Sequence, residues 1–133
     1  METIAWNNEL VVNVKVFDDD HKKMIVLAND LIGACDGHSW GSEQDSVLRE
    51  LKAIAFSNSE HESDLAKLYH YPGVFSHDSN HDDQRDFLER LERMPNASKA
   101  SVSTADNLRN WLVSHIRETD KALGIWLNGK GVY

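Results

Sequence analysis

The chain has 133 residues, the length of one compact domain with one core. Its apolar fraction of 41% and charged fraction of 27% are those of a folded globular protein rather than a disordered one. Fourteen basic against 22 acidic residues give a formal charge of −8, which argues against nucleic acid or an anionic lipid surface as partner. Cys35 is the single cysteine, so no intrachain disulfide can form. With no basic-then-apolar leader and no run approaching the roughly 20 apolar residues of a membrane span, the expected location is the cytoplasm.

Leu10, Val12, Val14 and Val16 alternate with Val11, Asn13 and Lys15, but no second strand pattern exists to pair with them. Residues 1–17 therefore read as an extended arm along the fold, with Trp6 as an anchor. Four helical periods follow, expected over about 18–36, 42–70, 73–93 and 103–128. The first starts at Asp18-Asp19-Asp20 and carries Met24, Ala28, Leu31 and Cys35 on one stripe up to Gly37. The second begins at Ser42, with Asp45 three residues on in the manner of a capping box, and ends at Tyr71-Pro72. The third carries Val74, Gln84, Leu88 and Leu91 and stops before Pro95. Residues 94–103 read as a polar connection. The fourth opens at Ser103, with Asp106 three residues on, and shows Leu108, Trp111, Leu112, Ile116, Leu123, Trp126 and Leu127 before Gly129. The expectation is an all-α, up-down-up-down four-helix bundle, an architecture that builds sites from inward-facing side chains.

Each helix interrupts its apolar stripe with ionisable residues, although an unpaired buried charge costs several kcal/mol. His21 lies on the first stripe. Asn58 and Glu62 break the second, with His61 beside them. His77 and His81, four residues apart, project from one face of the third. His115 and Asp120 lie on adjoining edges of the fourth. Taken singly, a lone His21 or His115 is more often a hydrogen-bonded core histidine, and the His77–His81 pair alone fits a solvated face. Together, four histidines and two carboxylates from four helices require a cation. Imidazole and carboxylate without thiolate suit iron, manganese or zinc, and carboxylates shared between two ions are the usual dinuclear arrangement in a bundle. Cys35 lies about 21 Å along the helix from His21 and is out of reach. His38 and His70 fall in turns and are expected at the surface.

Three stretches resemble the hemerythrin and bacteriohemerythrin family, over almost the whole chain: Trp6 followed by Phe17-Asp18-Asp19-Asp20-His21-Lys22-Lys23-Met24; Tyr71-Pro72 followed by His77 and His81; and Trp111-Leu112-Val113-Ser114-His115-Ile116-Arg117-Glu118-Thr119-Asp120. The resemblance implies two iron ions with oxo or hydroxo and carboxylate bridges. His77, His81 and His115 would hold one ion and His21 the other, with Glu62 and Asp120 bridging. The family pattern also has a histidine, followed by an aromatic residue, one turn before the bridging glutamate. Asn58 and Ser59 stand there instead. Water, the Asn58 amide oxygen or His61 could fill the position, and water or a weak Asn58 contact is the preferred reading, because aiming His61 inward would rotate Glu62 away.

The resemblance further implies binding of dioxygen, or of small anions such as azide, in an apolar pocket that we assign to Met24, Leu112, Ile116 and Leu123. A non-catalytic dioxygen-binding protein for storage, transport or sensing is the preferred expectation, with stable oxygenation weakened by Asn58. An enzyme acting on peroxide, nitric oxide or ferrous iron is the alternative, because fold does not fix function.

Overall fold

The alternating apolar residues of the arm turn inward: Ile4, Leu10, Val12 and Val14 are buried, whereas Val16 is exposed. The computed structural model describes residues 2–37 and 39–133, so the surface placement expected for His38 lies outside the described residues. Val16 departs from the alternation because the first helix, α1 (Lys15–Asp36), begins three residues before the expected start. The arm is also not extended throughout, since Asn8–Leu10 forms a 3₁₀ turn capped by Asn7, whose side chain accepts from Glu9 N–H. Trp6 is half-buried, with the Lys22 ammonium 5.1 Å from its ring centroid.

Several polar groups fasten the arm. Asp18, expected simply to favour a helix start, accepts from Val12 N–H at 2.8 Å and Asn13 N–H at 3.1 Å. Asn29 donates to Ile4 O and accepts from Ile4 N–H, and Asn128 donates to Asn13 O.

The remaining helices are α2 (Ser42–Leu68), α3 (Val74–Arg93), α4 (Asn96–Lys99), α5 (Val102–Ser114) and α6 (Lys121–Gly129). Residues His115–Asp120 form a π-helical segment that joins α5 to α6, so the expected fourth helix is one rod with a changed winding in its middle. No strand occurs among the described residues. Helix α1 packs against α2 and α5, α2 against α3, and α3 against the π segment, which closes a ring of four rods. Phe17, Met24, Leu31, Ile32, Leu48, Leu51, Leu88, Leu108, Leu112, Ile116, Leu123 and Leu127 fill the interior. No helix among the described residues is long and apolar enough to cross a membrane.

Two helix caps differ from expectation, although α2 begins at Ser42 as expected. Gly41 is the N-cap of α2, and Gln44 Oε1 accepts from its N–H. Asp45 is thereby free to accept from Trp40 Nε1 at 2.9 Å, Asn96 Nδ2 at 3.1 Å and Lys99 Nζ at 3.3 Å. Helix α5 is capped by Ser101 rather than Ser103, with Ser101 Oγ accepting from Thr104 N–H. The expected polar connection from α3 to α5 contains the short helix α4 and buries Lys99, whose ammonium Asp45 neutralises. At the other end of α2, His70 is exposed and takes a left-handed conformation (φ 56°). Tyr71 N–H then reaches Ala66 O and His70 N–H reaches Lys67 O, a Schellman closure that satisfies the last carbonyls.

Candidate metal centre

The bundle brings His21, Glu62, His77, His81, His115 and Asp120 into one buried cluster, none more than 7% exposed. Helix α1 supplies His21, α2 supplies Glu62 and α3 supplies His77 and His81. The two histidines of α3 lie one turn apart with ring centroids separated by 4.3 Å. His115 and Asp120 are five residues apart, which on a regular α-helix places them about 140° apart around the axis. The π winding, with its i→i+5 hydrogen bonds, brings residues five apart above one another and turns both inward. The His115 ring centroid lies 5.3 Å from that of His81 and 6.3 Å from that of His77, which makes a trio of imidazoles.

Each carboxylate divides its two oxygens. Glu62 Oε1 lies 2.9 Å from Nε2 of both His77 and His81, and Oε2 lies 3.2 Å from His21 Nε2. Asp120 Oδ1 lies 2.9 Å from His115 Nε2 and 3.6 Å from His77 Nε2, and Oδ2 lies 2.8 Å from His21 Nε2. The Asp120 contacts are short without being aligned as hydrogen bonds: both of its oxygens and His115 Nε2 are buried without a hydrogen-bond partner. Misaligned short contacts are what result when donor atoms face a common point instead of each other. One ligand atom each from Glu62, His81, His115 and Asp120 lies within 4.8 Å of the others. These donors fit a cation better than they fit one another.

Within the cluster the two carboxylates favour a proton on His21. Burial opposes a charge on His21, but Asp120 and Glu62 beside its Nε2 outweigh burial and push the pKa up to about 10. Burial also opposes the Glu62 carboxylate, and hydrogen bonds from His21, His77 and His81 overcome it, holding its pKa well below the usual range.

Asn80 was not anticipated in the sequence. Its Oδ1 accepts from His115 Nδ1 at 2.6 Å, which fixes the tautomer that leaves the Nε2 lone pair free for a cation. The only signal for it is its place on α3, three residues after His77. Asp20 was read as a helix-start acid, yet its Oδ2 accepts from Asn58 Nδ2 at 3.3 Å and contacts His61 Nδ1 at 3.0 Å. Asn58 is 1% exposed, one turn before Glu62. His61, considered as a replacement ligand, has a side chain 46% exposed and paired with Asp20, so the fold does not bring it into the cluster. Met24, Leu112, Ile116 and Leu123 are all fully buried in the core. The cavities beside the cluster open elsewhere, one next to His81 and one of about 170 Å³ next to His115, Asn80 and Trp111. Cys35 is buried with Sγ against Lys99 O, away from the cluster as its distance along α1 required.

A ring of helices with histidines and shared carboxylates converging at its centre defines a helical-bundle protein with a metal-binding cluster. The pattern of the hemerythrin HHE cation binding domain matches residues 12–127, and the chain belongs to that family. It is similar to the bacteriohemerythrin of Stenotrophomonas maltophilia (strain R551-3), 25% identical over 126 residues that cover 92% of this chain and 80% of that protein. It is also similar to the bacteriohemerythrin of Methylococcus capsulatus (strain ATCC 33009 / NCIMB 11132 / Bath), 28% identical over 129 residues, 93% and 96% of the two chains. A third relative is the bacteriohemerythrin of Pseudomonas aeruginosa (strain LESB58), 25% identical over 124 residues, 90% and 78% of the two.

Proposed function

We propose that the centre holds two iron ions with an oxo or hydroxo bridge and binds dioxygen for storage, transport or sensing. The observation that carries this reading is the division of each carboxylate between the imidazole trio and His21. His77, His81 and His115 would hold one ion and His21 the other, with Glu62 and Asp120 shared. Two ferrous ions held there would supply the electrons for reversible dioxygen chemistry, and small anions such as azide would compete with dioxygen. Asn80 holds His115 in its ligating tautomer. Met24, Leu112, Ile116 and Leu123 keep bulk water from the interior side. The lone, buried Cys35 suits a reducing compartment, and the cytoplasm is the proposed location.

A second reading, an enzyme acting on peroxide, nitric oxide or ferrous iron, draws on the contact of buried Asn58 with Asp20, which joins exposed His61. Those polar groups lie one turn before Glu62 on α2 and next to His21 in sequence, and they reach solvent at His61.

The test of the di-iron reading is anaerobic reconstitution with ferrous iron, then elemental analysis and exposure to dioxygen or azide. About two irons per chain are expected from two shared carboxylates, together with visible absorption bands that differ between the two ligands. Saturation at one iron, with helicity intact, would overturn it.

A further inference from the structure

Between α2 and α3 runs a groove with a cavity of about 810 Å³, within the range of sites that hold small organic molecules. Ala55 and Phe56 of α2 and Leu88 of α3 give it an apolar stretch. Ser59 also lines it, standing where the family pattern has an aromatic residue, and its small side chain leaves room. Phe56 is 52% exposed although large and aromatic, so much of its ring is open to an occupant.

The charges around this stretch are unequal, with five carboxylates against three basic side chains. Two of the bases are already engaged: Lys52 is shared by Glu92 at 3.3 Å and Glu89 at 3.8 Å, and Arg85 holds Asp82 at 2.6 Å. Arg49, the third, precedes Glu60 on α2 by about three turns, or about 16 Å along the axis. Glu62 meets His77 and His81, whereas Lys52 meets Glu89 and Glu92, so the two helices run antiparallel and place Glu60 level with Asp78. Glu60 is exposed, one turn after Phe56. Asp78, one turn before His81, reaches Lys67 at 3.8 Å through Oδ2, while its Oδ1 is without a hydrogen-bond partner. This end of the groove therefore carries an excess of negative charge, and the formal charge of −8 on the whole chain draws cations toward it.

We propose that the groove binds a singly charged organic cation with a flat apolar body. The body covers Ala55, Phe56 and Leu88, and the positive end lies between Glu60 and Asp78, where the Phe56 ring also favours a cation. The site is formed by α2 and α3 whatever ions the neighbouring centre holds.

A dimethylaminostyryl dye with a methylpyridinium head is a suitable probe, because its unmethylated pyridine counterpart has nearly the same shape and is uncharged in mild alkali. The protein should bind the cationic dye saturably at one per chain with enhanced emission, and at least about fivefold more tightly than the neutral dye. Glu60→Gln and Asp78→Asn, which keep the shape and remove a charge, should each weaken the cation about twofold to fivefold and leave the neutral dye unaltered. Ser59→Phe, which fills the space, should weaken both dyes at least about tenfold. Glu43→Gln, which removes an exposed acid at the start of α2, should leave both unaltered. Equal affinity for the two dyes, or unchanged cation binding in Glu60→Gln, Asp78→Asn or Ser59→Phe, would overturn the proposal. So would a loss in Glu43→Gln as large as that in Glu60→Gln, since the attraction would then belong to the whole surface. Dye affinity is compared at one fixed metal content and read independently of iron stoichiometry, so failure of the groove and failure of the di-iron reading are distinguishable.

Discussion

Removing metal from the centre should lower the melting temperature by about 15–25 °C near neutral pH, and by more in alkali. The ligands converge only in the folded bundle, so each bound ion stabilises the folded state by its full mass-action term. At a free concentration one hundred times the dissociation constant that term is about 2.7 kcal/mol per ion, or about 5 kcal/mol for two. For a chain of this length, 1 kcal/mol moves Tm by about 3–5 °C. The pH dependence follows from the protons that His21 and Glu62 hold once metal is removed. His21 has an ordinary value of 6.5 when unfolded and about 10 in the fold, so its contribution is complete below about pH 6.5 and is lost as pH rises through 10. Glu62 is shifted the opposite way, and its contribution is present above 4.5 and lost as pH falls through its lower folded value. The metal-free bundle is therefore best balanced between those limits, whereas loading must expel the His21 proton and gains as pH rises. Circular-dichroism melts of metal-free and anaerobically iron-loaded protein at about pH 6 and about pH 8.5 check this. Equal melting temperatures for the two forms at both pH values would refute the placement of these groups as ligands.

Asn58→His should supply a nitrogen donor one turn before Glu62 and prolong the visible absorption that dioxygen produces in the reduced protein, while His61→Ala leaves the parent spectrum nearly unaltered. Loss of iron in His61→Ala would show that His61 is the missing ligand. Gly124→Ala should destabilise the bundle by about 1–3 kcal/mol, because a methyl group there overlaps the Val12 carbonyl and side chain where the arm crosses α6; denaturant unfolding measures it, and a neutral result would mean the arm does not pack there. Asp45→Asn strips the carboxylate from buried Lys99 and should cost about 3 kcal/mol at neutral pH. Hydrogen bonds, that from Trp40 foremost, hold the Asp45 pKa below 3.8, so its contribution is present above 3.8 and lost as pH falls through the lower folded value. In urea unfolding the gap between parent and Asp45→Asn should close toward low pH, and a gap independent of pH would contradict this account.

Local periodicity carries the long helices: Met24, Ala28, Leu31 and Cys35 are all buried on α1, as their spacing requires. The six polar interruptions were legible for the same reason, since an ionisable residue on an apolar stripe is either paired or costly. The helix starts were less legible, because Ser42, Ser103 and their acidic partners satisfy the cap pattern as well as Gly41 and Ser101 do, and only long-range contacts choose between them. Asp45 is drawn to Trp40, Asn96 and Lys99, the last 54 residues away, and no local rule contains that pairing. The π segment was hidden too: inward-facing positions on both sides of it fit a helical period, and the extra residue shows only as the five-residue interval from His115 to Asp120.

That interval also separates the centre into unequal halves. On the trio side, α3 and the π segment hold three imidazoles in ring contact, and Asn80 fixes the tautomer of the third. On the other side, His21 is the single imidazole, and the side chain one turn before Glu62 is an amide drawn toward Asp20 rather than toward the cluster. A donor set with three fixed nitrogens leaves little room for exchange, whereas one nitrogen beside a polar path to His61 leaves several positions for small ligands. With two ions held as proposed, exchange of anions and entry of protons would therefore belong to the His21 half. In the proposed di-iron reading, the choice between holding dioxygen and turning it over would then rest on Asn58 and Asp20 more than on any of the six converging residues.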